Sequence, residues 1–178
     1  MNRILFAGLS SGSGKTAVTC ACLRALQKKG ISAASFKCGP DYIDPMFHQR
    51  VLGIPGENLD LFFADEKTLQ RQIACYEQRC KIAVLEGVMG YYDGLGGVSD
   101  RDSTWEGASL TIAAQVQGML SFRKRNQLAG ILLNGCSERM ARLLAPMLEE
   151  QTGLSVVGFL PYVEDASFES RHLGLVTA

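Results

Sequence analysis

The sequence lacks the features that mark several large classes of protein. It has no excess of charge of either sign, with 18 basic and 18 acidic side chains in 178 residues, so the basic stripe of a nucleic-acid-binding protein is missing. No apolar run approaches the ~20 residues that span a bilayer, and no secretory signal precedes the first apolar run. We therefore expect neither nucleic acid nor a membrane as a partner.

Cysteine pairs with metal-binding spacing are also missing. The six cysteines are scattered and none stands in a CxxC pair, which argues against a zinc site or a redox motif. We expect them to be buried small hydrophobes in a reducing, cytoplasmic environment. His48 and His172 have no nucleophile or ligand partner in the sequence, so neither is assigned a chemical role.

Strand and helix patterns alternate along the chain. Strands are predicted at 3–8, 31–37, 80–87, 128–134 and 154–161, and helices at 15–29, 66–78, 107–122 and 137–150. The first run is typical of a buried parallel strand, whereas 38–45 contains Gly39, Pro40 and Pro45 and is predicted to be irregular. This order predicts an α/β fold with a mostly parallel sheet and helices on both faces. Ligands of such sheets bind beyond the carboxyl ends of the strands.

A glycine-rich turn, LSSGSGKT at residues 9–16, directly follows the first apolar run. Glycines let backbone N–H groups approach an anion closely, and the N-terminus of the following helix adds a partial positive charge. Lys15 is placed to reach the terminal phosphates of a nucleotide, and Thr16 to offer a hydroxyl to Mg²⁺. The spacing from Gly8 to Gly14 is one residue longer than the standard phosphate loop. We predict a phosphate-binding loop; the alternative is a flexible turn with a solvated lysine.

Acidic residues follow two of the predicted strands. Glu86 lies at the end of the strand 80–87, where a carboxylate could hold Mg²⁺ directly or through water; the alternative is a solvated charge. Asp41 and Asp44 follow the second strand, which ends at Lys37. One cation and two carboxylates beside a nucleotide suit metal and substrate binding, but Asp next to Pro is also a common turn former. We assign Asp41 a functional role and leave both interpretations open for Asp44.

The segment 88–104 is long and rich in glycine and aspartate. Loops of this length without regular structure are usually functional or disordered. Tyr91, Tyr92 and Asp93 could line a substrate cavity in it. No GxSxG or Cys/His signature of nucleophilic catalysis occurs in the chain.

Five stretches together resemble one family. They are AGLSSGSGKT, FKCGPDYIDP, LEGVMGYYDGLGGVSDRDST, GILLN and SRHLGLVTA. Through them the chain resembles, over its full length, the N-terminal domain of the cobyrinic acid a,c-diamide synthases. The stretch FKxGPDYIDP separates this family from cobyric acid synthase. The resemblance implies the P-loop NTPase fold of dethiobiotin synthetase, which shares the longer glycine spacing.

The resemblance implies an ATP-dependent amidoligase that uses Mg²⁺. The a and c acetate carboxylates of a corrin-type tetrapyrrole would become amides through an acyl phosphate, which ammonia attacks. Lys15, Asp41 and Glu86 would serve the chemical step, and Thr16, Asp41 and Glu86 the metal. The full candidate site comprises nucleotide-binding residues (Gly12, Ser13, Gly14, Lys15, Thr16, Ala17 and Asn134) and substrate-binding residues (Lys37, Tyr42, Ile43, Tyr91 and Asp93).

The chain departs from the family pattern at its C-terminal end. The family has a second domain, a class I glutaminase that makes ammonia from glutamine, whereas this sequence stops in the interdomain linker at RHLGLVTA. We expect residues 1–165 to form the ATP-binding domain and 166–178 to be linker. The chain alone is then expected not to use glutamine. A homodimer is compatible with the fold relatives.

A second departure follows Thr104. The family continues there through a helix into a strand of the type PVILVVDA, but here RDSTWEGASLTIAAQ runs straight on. A strand of ~5–6 residues with its flanking segments is therefore absent from the sequence. Omitting a central strand leaves a cavity and unpaired backbone groups, so we expect the omission to affect activity.

Two other functions stay open. One is a dethiobiotin-synthetase-like carboxylase that closes a ring urea on a small diamine, although GPDYIDP and RHLGLV argue against it. The other is a partitioning-type ATPase switch, which would carry an additional lysine early in the loop, where 9–13 has none. That class also uses a basic patch or an amphipathic membrane helix, and neither is found. Within the resemblance, cobyrinate, hydrogenobyrinate and nickel sirohydrochlorin are all open as the macrocycle.

Overall fold

The computed structural model describes residues 1–88, 90, 91 and 109–163, which fall into two compact units. The described part of the first unit ends at Tyr91, and that of the second is 109–163. In chain order the elements are β1 (Asn2–Phe6), α1 (Lys15–Lys28), β2 (Ala33–Cys38), α2 (Ile43–Leu52), β3 (Gly56–Leu59), α3 (Glu66–Glu77), β4 (Ile82–Glu86), α4 (Ser109–Phe122), β5 (Ile131–Asn134), α5 (Glu138–Thr152) and β6 (Val156–Leu160). The junction after Thr104 and the tail 166–178 lie outside the described residues, so the predicted domain limits stay predictions.

The first unit is built on a four-stranded parallel sheet in the order β1-β4-β2-β3. The register places Glu86, at the end of β4, beside Phe6 of β1 on one side and Lys37 of β2 on the other. The predicted α/β fold with a parallel sheet is thus confirmed. The segments predicted to carry chemistry follow the carboxyl ends of β1, β2 and β4.

Helices cover both faces of this sheet, as predicted. On one face α1 and α2 contribute Leu23, Leu26 and Leu52 to a core that includes Ala33 and Val84. On the other face α3 contributes Ile73 and Tyr76, which pack on a second core made of Ala34, Phe36, Cys80 and Ala83. Because side chains alternate along β2, its residues 33, 35 and 37 share the α1/α2 face.

Strand β1 is not buried as its apolar sequence predicted. Ile4 and Leu5 are 44% and 47% exposed. The reason is the strand's position, since β1 pairs with β4 and has no second neighbour among the described residues. A parallel strand at a sheet edge leaves one side of its backbone and part of its side chains uncovered.

Two elements of the first unit had no prediction. Helix α2 begins at Ile43 and includes Pro45, so the prediction of irregular structure over 38–45 is wrong for its last three residues. Proline is tolerated there because first-turn N–H groups have no helical partner. Strand β3 has the sequence GENL, which shows no strand pattern, and forms by pairing with β2.

The second unit contains the parallel pair β5-β6 and the helices α4 and α5. Ser137 caps α5 by accepting a hydrogen bond from the Met140 amide. The core of the unit contains Leu133 of β5 and Leu144 and Leu148 of α5. None of the helices in the described ranges is long and apolar enough to cross a membrane.

The six cysteines all lie in described ranges, and no disulfide joins them. The expectation that they are buried is confirmed for Cys80 and wrong for Cys75, which is exposed on α3. The other four are partly buried. The absence of a disulfide agrees with the scattered spacing in the sequence.

A matched pair of substitutions tests the edge position of β1. Leu23→Ala removes a side chain that is fully buried and is expected to cost about 2–5 kcal/mol of unfolding free energy. Leu5→Ala should cost about 1 kcal/mol, because that side chain is half exposed. Urea unfolding followed by circular dichroism measures both. Equal losses would show that Leu5 is covered in solution.

Candidate nucleotide and metal site

The turn between β1 and α1 has the backbone of an anion-binding loop. Gly12 and Gly14 have φ of 77° and 82°, a region that favours glycine because it has no Cβ. Gly8 is crowded for a different reason, since a Cβ there would lie 2.0 Å from the Ser13 Oγ and 3.1 Å from the Ser13 Cβ, so the serine would have to shift. The glycines predicted from the sequence therefore each meet a local steric need, and they shape the loop ahead of α1.

The N-terminus of α1 has no side-chain cap. Its cap residue is Gly14, whereas Asp65 caps α3 and Ser137 caps α5 through side-chain oxygens. The first N–H groups of a helix need an acceptor and carry a partial positive charge. A phosphate oxygen is a suitable acceptor at such a terminus.

Lys15 lies over this loop. Its Nζ donates to the Ser10 carbonyl oxygen at 2.8 Å and lies 3.4 Å from the Ser13 Oγ. The ammonium is therefore already on the concave side of the turn. A phosphate group entering the loop would offer the Lys15 ammonium charged oxygens in place of these neutral ones. Hydrogen bonds to charged oxygens are the stronger kind.

Next to the loop lies a cluster of four polar side chains that we call the carboxylate cluster: Thr16, Lys37, Asp44 and Glu86. The Lys37 Nζ lies 2.6 Å from the Asp44 Oδ2 and 2.6 Å from the Glu86 Oε1. The Thr16 hydroxyl donates to the same Glu86 Oε1 at 2.6 Å and lies 3.4 Å from the Asp44 Oδ2. The cluster thus joins α1, β2, α2 and β4 at the carboxyl edge of the sheet.

The charged side chains of the cluster are buried, and burial shifts the pKa values of Glu86 and Lys37. Asp44 and Glu86 are each 1% exposed and Lys37 is 4% exposed. Burial raises the pKa of the Glu86 carboxyl, against the hydrogen bonds from Lys37 and Thr16. Burial also acts to lower the pKa of Lys37, but its bonds to Asp44 and Glu86 outweigh that effect and raise the pKa above its ordinary value. Lys37 is therefore charged at neutral pH, and the solvated-charge interpretation of Glu86 is wrong.

The donor set fits a magnesium ion bound together with phosphate. Glu86 Oε2 is buried and has no hydrogen-bond partner among the described residues. The Thr16 hydroxyl lies 2.6 Å from the other carboxylate oxygen, Glu86 Oε1. The described residues contain no group of three or more His, Cys, Asp or Glu that would enclose a metal by themselves. Mg²⁺ is commonly held by one or two carboxylates, with water and substrate phosphates completing its octahedral shell.

Asp41 lies at the edge of the cluster. Its Oδ2 is 3.6 Å from the Lys37 Nζ and its side chain is 36% exposed. Its Oδ1 accepts from the Ile43 amide at 3.2 Å, which is the local turn bond expected of aspartate. Asn58 of β3 fixes this loop by donating to the carbonyl oxygens of Gly39 and Asp41 at 2.9 and 2.8 Å.

The other predicted residues are placed as follows. Tyr42 precedes α2 and is 47% exposed, and Ile43 is the first residue of that helix. Ala17 lies in the first turn of α1, and the Tyr91 amide donates to the Gly8 carbonyl at 2.8 Å. Asn134 ends β5 in the second unit, and Asp93 lies outside the described residues. Their binding roles stay predictions.

Three residues of this region were missed or left open by the sequence. Asp44 is a full member of the carboxylate cluster, His48 is buried beneath it, and Asn58 supports the Asp41 loop. The spacing of Asp44 and His48, four residues apart, would have indicated one helix face. That signal was hidden because the prolines at 40 and 45 predicted irregular structure.

Comparison with known proteins gives the family. The model of the CobQ/CobB/MinD/ParA nucleotide binding domain matches residues 4–176. The chain belongs to this nucleotide-binding family. The predicted P-loop NTPase fold is thereby confirmed, while the assignment of individual residues to the nucleotide loop stays a prediction.

Members of this family with curated names resemble the chain along nearly all of its length. The cobyrinate a,c-diamide synthase of Clostridium acetobutylicum is 37% identical over 193 residues, which cover 99% of this chain and 44% of that protein. The enzymes of the same name from Gloeobacter violaceus and Thermoplasma volcanium are 39% and 36% identical, with 97% and 99% of this chain and 42% of each relative covered. The resemblance predicted from the sequence motifs is confirmed. The chain spans less than half the length of these relatives.

The alignments are longer than the chain. They extend over 193 residues, and the chain supplies 178 at most. At least 15 aligned positions of the relatives therefore have no counterpart in this chain. A missing strand after Thr104 would produce such a gap, and its location stays a prediction.

Lys37→Met tests the carboxylate cluster. Removing the shared cation leaves Asp44 and Glu86 buried without it, which is expected to cost about 3–5 kcal/mol of unfolding free energy at pH 7. A carboxyl whose folded pKa is raised destabilises the fold when charged, and that cost falls as the pH drops through the raised pKa. The loss in Lys37→Met should therefore shrink between pH 7 and pH 5. Urea unfolding across pH 5–8 measures it.

The exposed Lys81→Met substitution is the control for a lost lysine charge, with an expected effect within about 0.5 kcal/mol. A loss in Lys37→Met that is the same at pH 5 and pH 8 would contradict the arrangement. So would a loss no larger than that of the control.

Proposed function

We propose that this chain is the synthetase part of an ATP-dependent carbon–nitrogen ligase of cobalamin biosynthesis. Its reaction would be amidation of the a and c acetate carboxylates of cobyrinate or hydrogenobyrinate. The observation that carries the proposal is the 2.6 Å hydrogen bond between Thr16, in the first turn after the glycine loop, and Glu86, at the end of β4. It joins a nucleotide loop to a buried carboxylate in one site, and the relatives' names supply the reaction class.

Residues 12–17 are proposed to bind the triphosphate of ATP. The backbone amides at the uncapped start of α1 would donate hydrogen bonds to phosphate oxygens, and the loop glycines leave room for them. Lys15 would exchange its bond with the Ser10 carbonyl for the β- and γ-phosphates. Charge spread over the transferring group is then stabilised by fixed donors, which is the main protein contribution to phosphoryl transfer.

Thr16 and Glu86 would hold Mg²⁺, with Asp44 beside them and Asp41 at the edge as the resemblance implies. When bound, the ion supplies neutralisation of charge on the phosphate oxygens. The Lys37 ammonium contacts both buried carboxylates and so fixes their positions. Glu86 Oε2, which has no partner among the described residues, is the oxygen best placed to gain one.

The reaction requires activation because a carboxylate is a poor electrophile for ammonia. An oxygen of the substrate carboxylate attacks the γ-phosphorus of ATP, ADP leaves, and an acyl phosphate forms. Ammonia then attacks the acyl carbon, phosphate leaves with the C–O bond electrons, and the nitrogen loses a proton to give the amide. Lys15 and the loop amides are proposed to stabilise the first of these transfers.

The substrate is proposed to lie against the segment that follows β2 and beside the glycine loop. Tyr42 offers a half-exposed aromatic ring at the start of α2, and Ile43 follows it. Tyr91 is tied to the loop by its amide bond to the Gly8 carbonyl. Lys37, Tyr91 and Asp93 are proposed substrate contacts as well, although Lys37 is engaged by Asp44 and Glu86 in this structure.

Ammonia is proposed to come from a glutaminase domain like the one expected from the family pattern. Residues 166–178 would be the linker to it, and a cytoplasmic homodimer is the proposed state. An ATP-dependent carboxylase or a partitioning-type switch would use the same loop, so the experiment must separate them.

The test is product mass. The chain is incubated with Mg-ATP, ammonium and, in separate reactions, cobyrinate, hydrogenobyrinate and nickel sirohydrochlorin. The proposal expects one or two carboxyl groups of either cobyrinate or hydrogenobyrinate to become amides. Each conversion lowers the mass by about 1 Da. Lys15→Ala should weaken ATP binding by about 10- to 100-fold, because a charged hydrogen bond is worth about 1.5–3 kcal/mol.

Controls decide between the alternatives. Lys29→Ala, at the far end of α1, should leave ATP binding unchanged. Ammonium is supplied directly, because the proposed source of ammonia is a glutaminase domain and not residues 1–165. Bound ATP with no amidation of any macrocycle would contradict the proposed activity for this chain. Absence of ATP binding would contradict the site itself.

A further inference from the structure

A second polar layer lies next to the carboxylate cluster in the first unit. The same three elements, α1, β2 and α2, each supply one residue to each layer. The pairs are Thr16 and Cys20 on α1, Lys37 and Ser35 on β2, and Asp44 and His48 on α2. Residues four apart on a helix and two apart on a strand share a face, so both layers lie between the sheet and the two helices. We call Cys20, Ser35 and His48 the histidine layer.

His48 is the centre of this layer. It is 1% exposed, its Nδ1 lies 2.7 Å from the Ser35 Oγ, and its Nε2 lies 3.4 Å from the Cys20 Sγ. A neutral imidazole offers one donor and one acceptor, and hydroxyl and thiol groups can take either role. Each ring nitrogen therefore has a side-chain partner, the Ser35 hydroxyl on one side and the Cys20 sulfur on the other. The bond to the fully buried Ser35 is the shorter one, and the contact with sulfur is the weaker one.

The backbone of His48 is fixed as well. Its carbonyl oxygen accepts hydrogen bonds from the backbone amides of Gly53 and Ile54, where α2 ends and the chain leads into β3. A ring held on both nitrogens and a backbone held at the helix end leave α2 little freedom to rotate on the sheet. The residue itself is 1% exposed.

We propose that His48 is a positioning residue for the nucleotide–metal site. Its bond to Ser35 sets the rotation of α2 on β2 and so holds Asp44, one turn earlier, 2.6 Å from Lys37. A rotation of 10° about the helix axis moves a side-chain tip by about 1 Å, given the radius of a helix with its side chains. Displacements of that size at a reacting site cost about 100-fold. The inference rests on the proposed function, because it takes Asp44 as part of the magnesium site.

The experiment compares ATP affinity with and without magnesium, by calorimetry with MgCl₂ or with EDTA. The magnesium ratio is the dissociation constant measured in EDTA divided by the one measured in MgCl₂. It isolates the part of ATP binding that depends on magnesium. His48→Leu is expected to lower this ratio about tenfold. His48→Asn, which keeps a polar atom near the position of Nδ1, should stay within about twofold of wild type.

Leu69→Ala is the matched control for lost stability. Leu69 is buried on α3, on the opposite face of the sheet from α2, and its truncation leaves a cavity that lowers stability. Its ratio should equal that of wild type. Ser35→Ala should reproduce the effect of His48→Leu, and the double variant should be no worse than either single one. Cys20→Ala should stay within twofold.

A structural readout accompanies the binding data. Amide hydrogen exchange over 43–52 should rise in His48→Leu and Ser35→Ala, and exchange in α3 should rise only in Leu69→Ala. The positioning role would be overturned if the magnesium ratios of His48→Leu and Ser35→Ala both equalled that of Leu69→Ala. That result would leave the proposed function intact. Equal losses in His48→Asn and His48→Leu would also overturn it. A wild-type chain whose ATP binding ignores magnesium would overturn the proposed function and this inference together.

Discussion

The ammonium group of Lys37 is the interaction on which the first unit depends. It lies 2.6 Å from a carboxylate on α2 and 2.6 Å from another at the end of β4. Each of these charges would be costly to bury alone, and they are tolerated because the ammonium meets both carboxylates directly. The carboxyl edge of the sheet is therefore the place where β2, β4 and α2 must agree in position.

This dependence explains why the sequence predicted the parts of the site better than their arrangement. The glycine loop, Lys15 and Glu86 are marked locally, by glycine next to an apolar run and by a carboxylate that ends one. Asn58 is marked by nothing local, since β3 has the sequence GENL, and the helical position of Asp44 is hidden because α2 starts between two prolines. Both elements are stabilised by packing on β2, which a pattern along the chain does not register.

Strand β1 shows the opposite limit. Its apolar sequence is that of a strand with neighbours on both sides, yet Ile4 and Leu5 are half exposed at a sheet edge. Parallel strands that are covered on both faces are apolar throughout, so the composition of β1 alone does not distinguish a strand at the edge of the sheet from a central one.

Burial also divides the acidic residues of the site into two kinds. Asp44 and Glu86 are enclosed and held by Lys37, so their positions are set before any ligand arrives. Asp41 is more than one-third exposed and is held only by its own turn and by the bonds of Asn58 to the surrounding backbone. Fixed carboxylates suit an ion that demands strict geometry, whereas a side chain on a supported loop can adjust to a substrate. The GPDYIDP segment contains one acidic residue of each kind because it is a loop that turns into a helix after Tyr42.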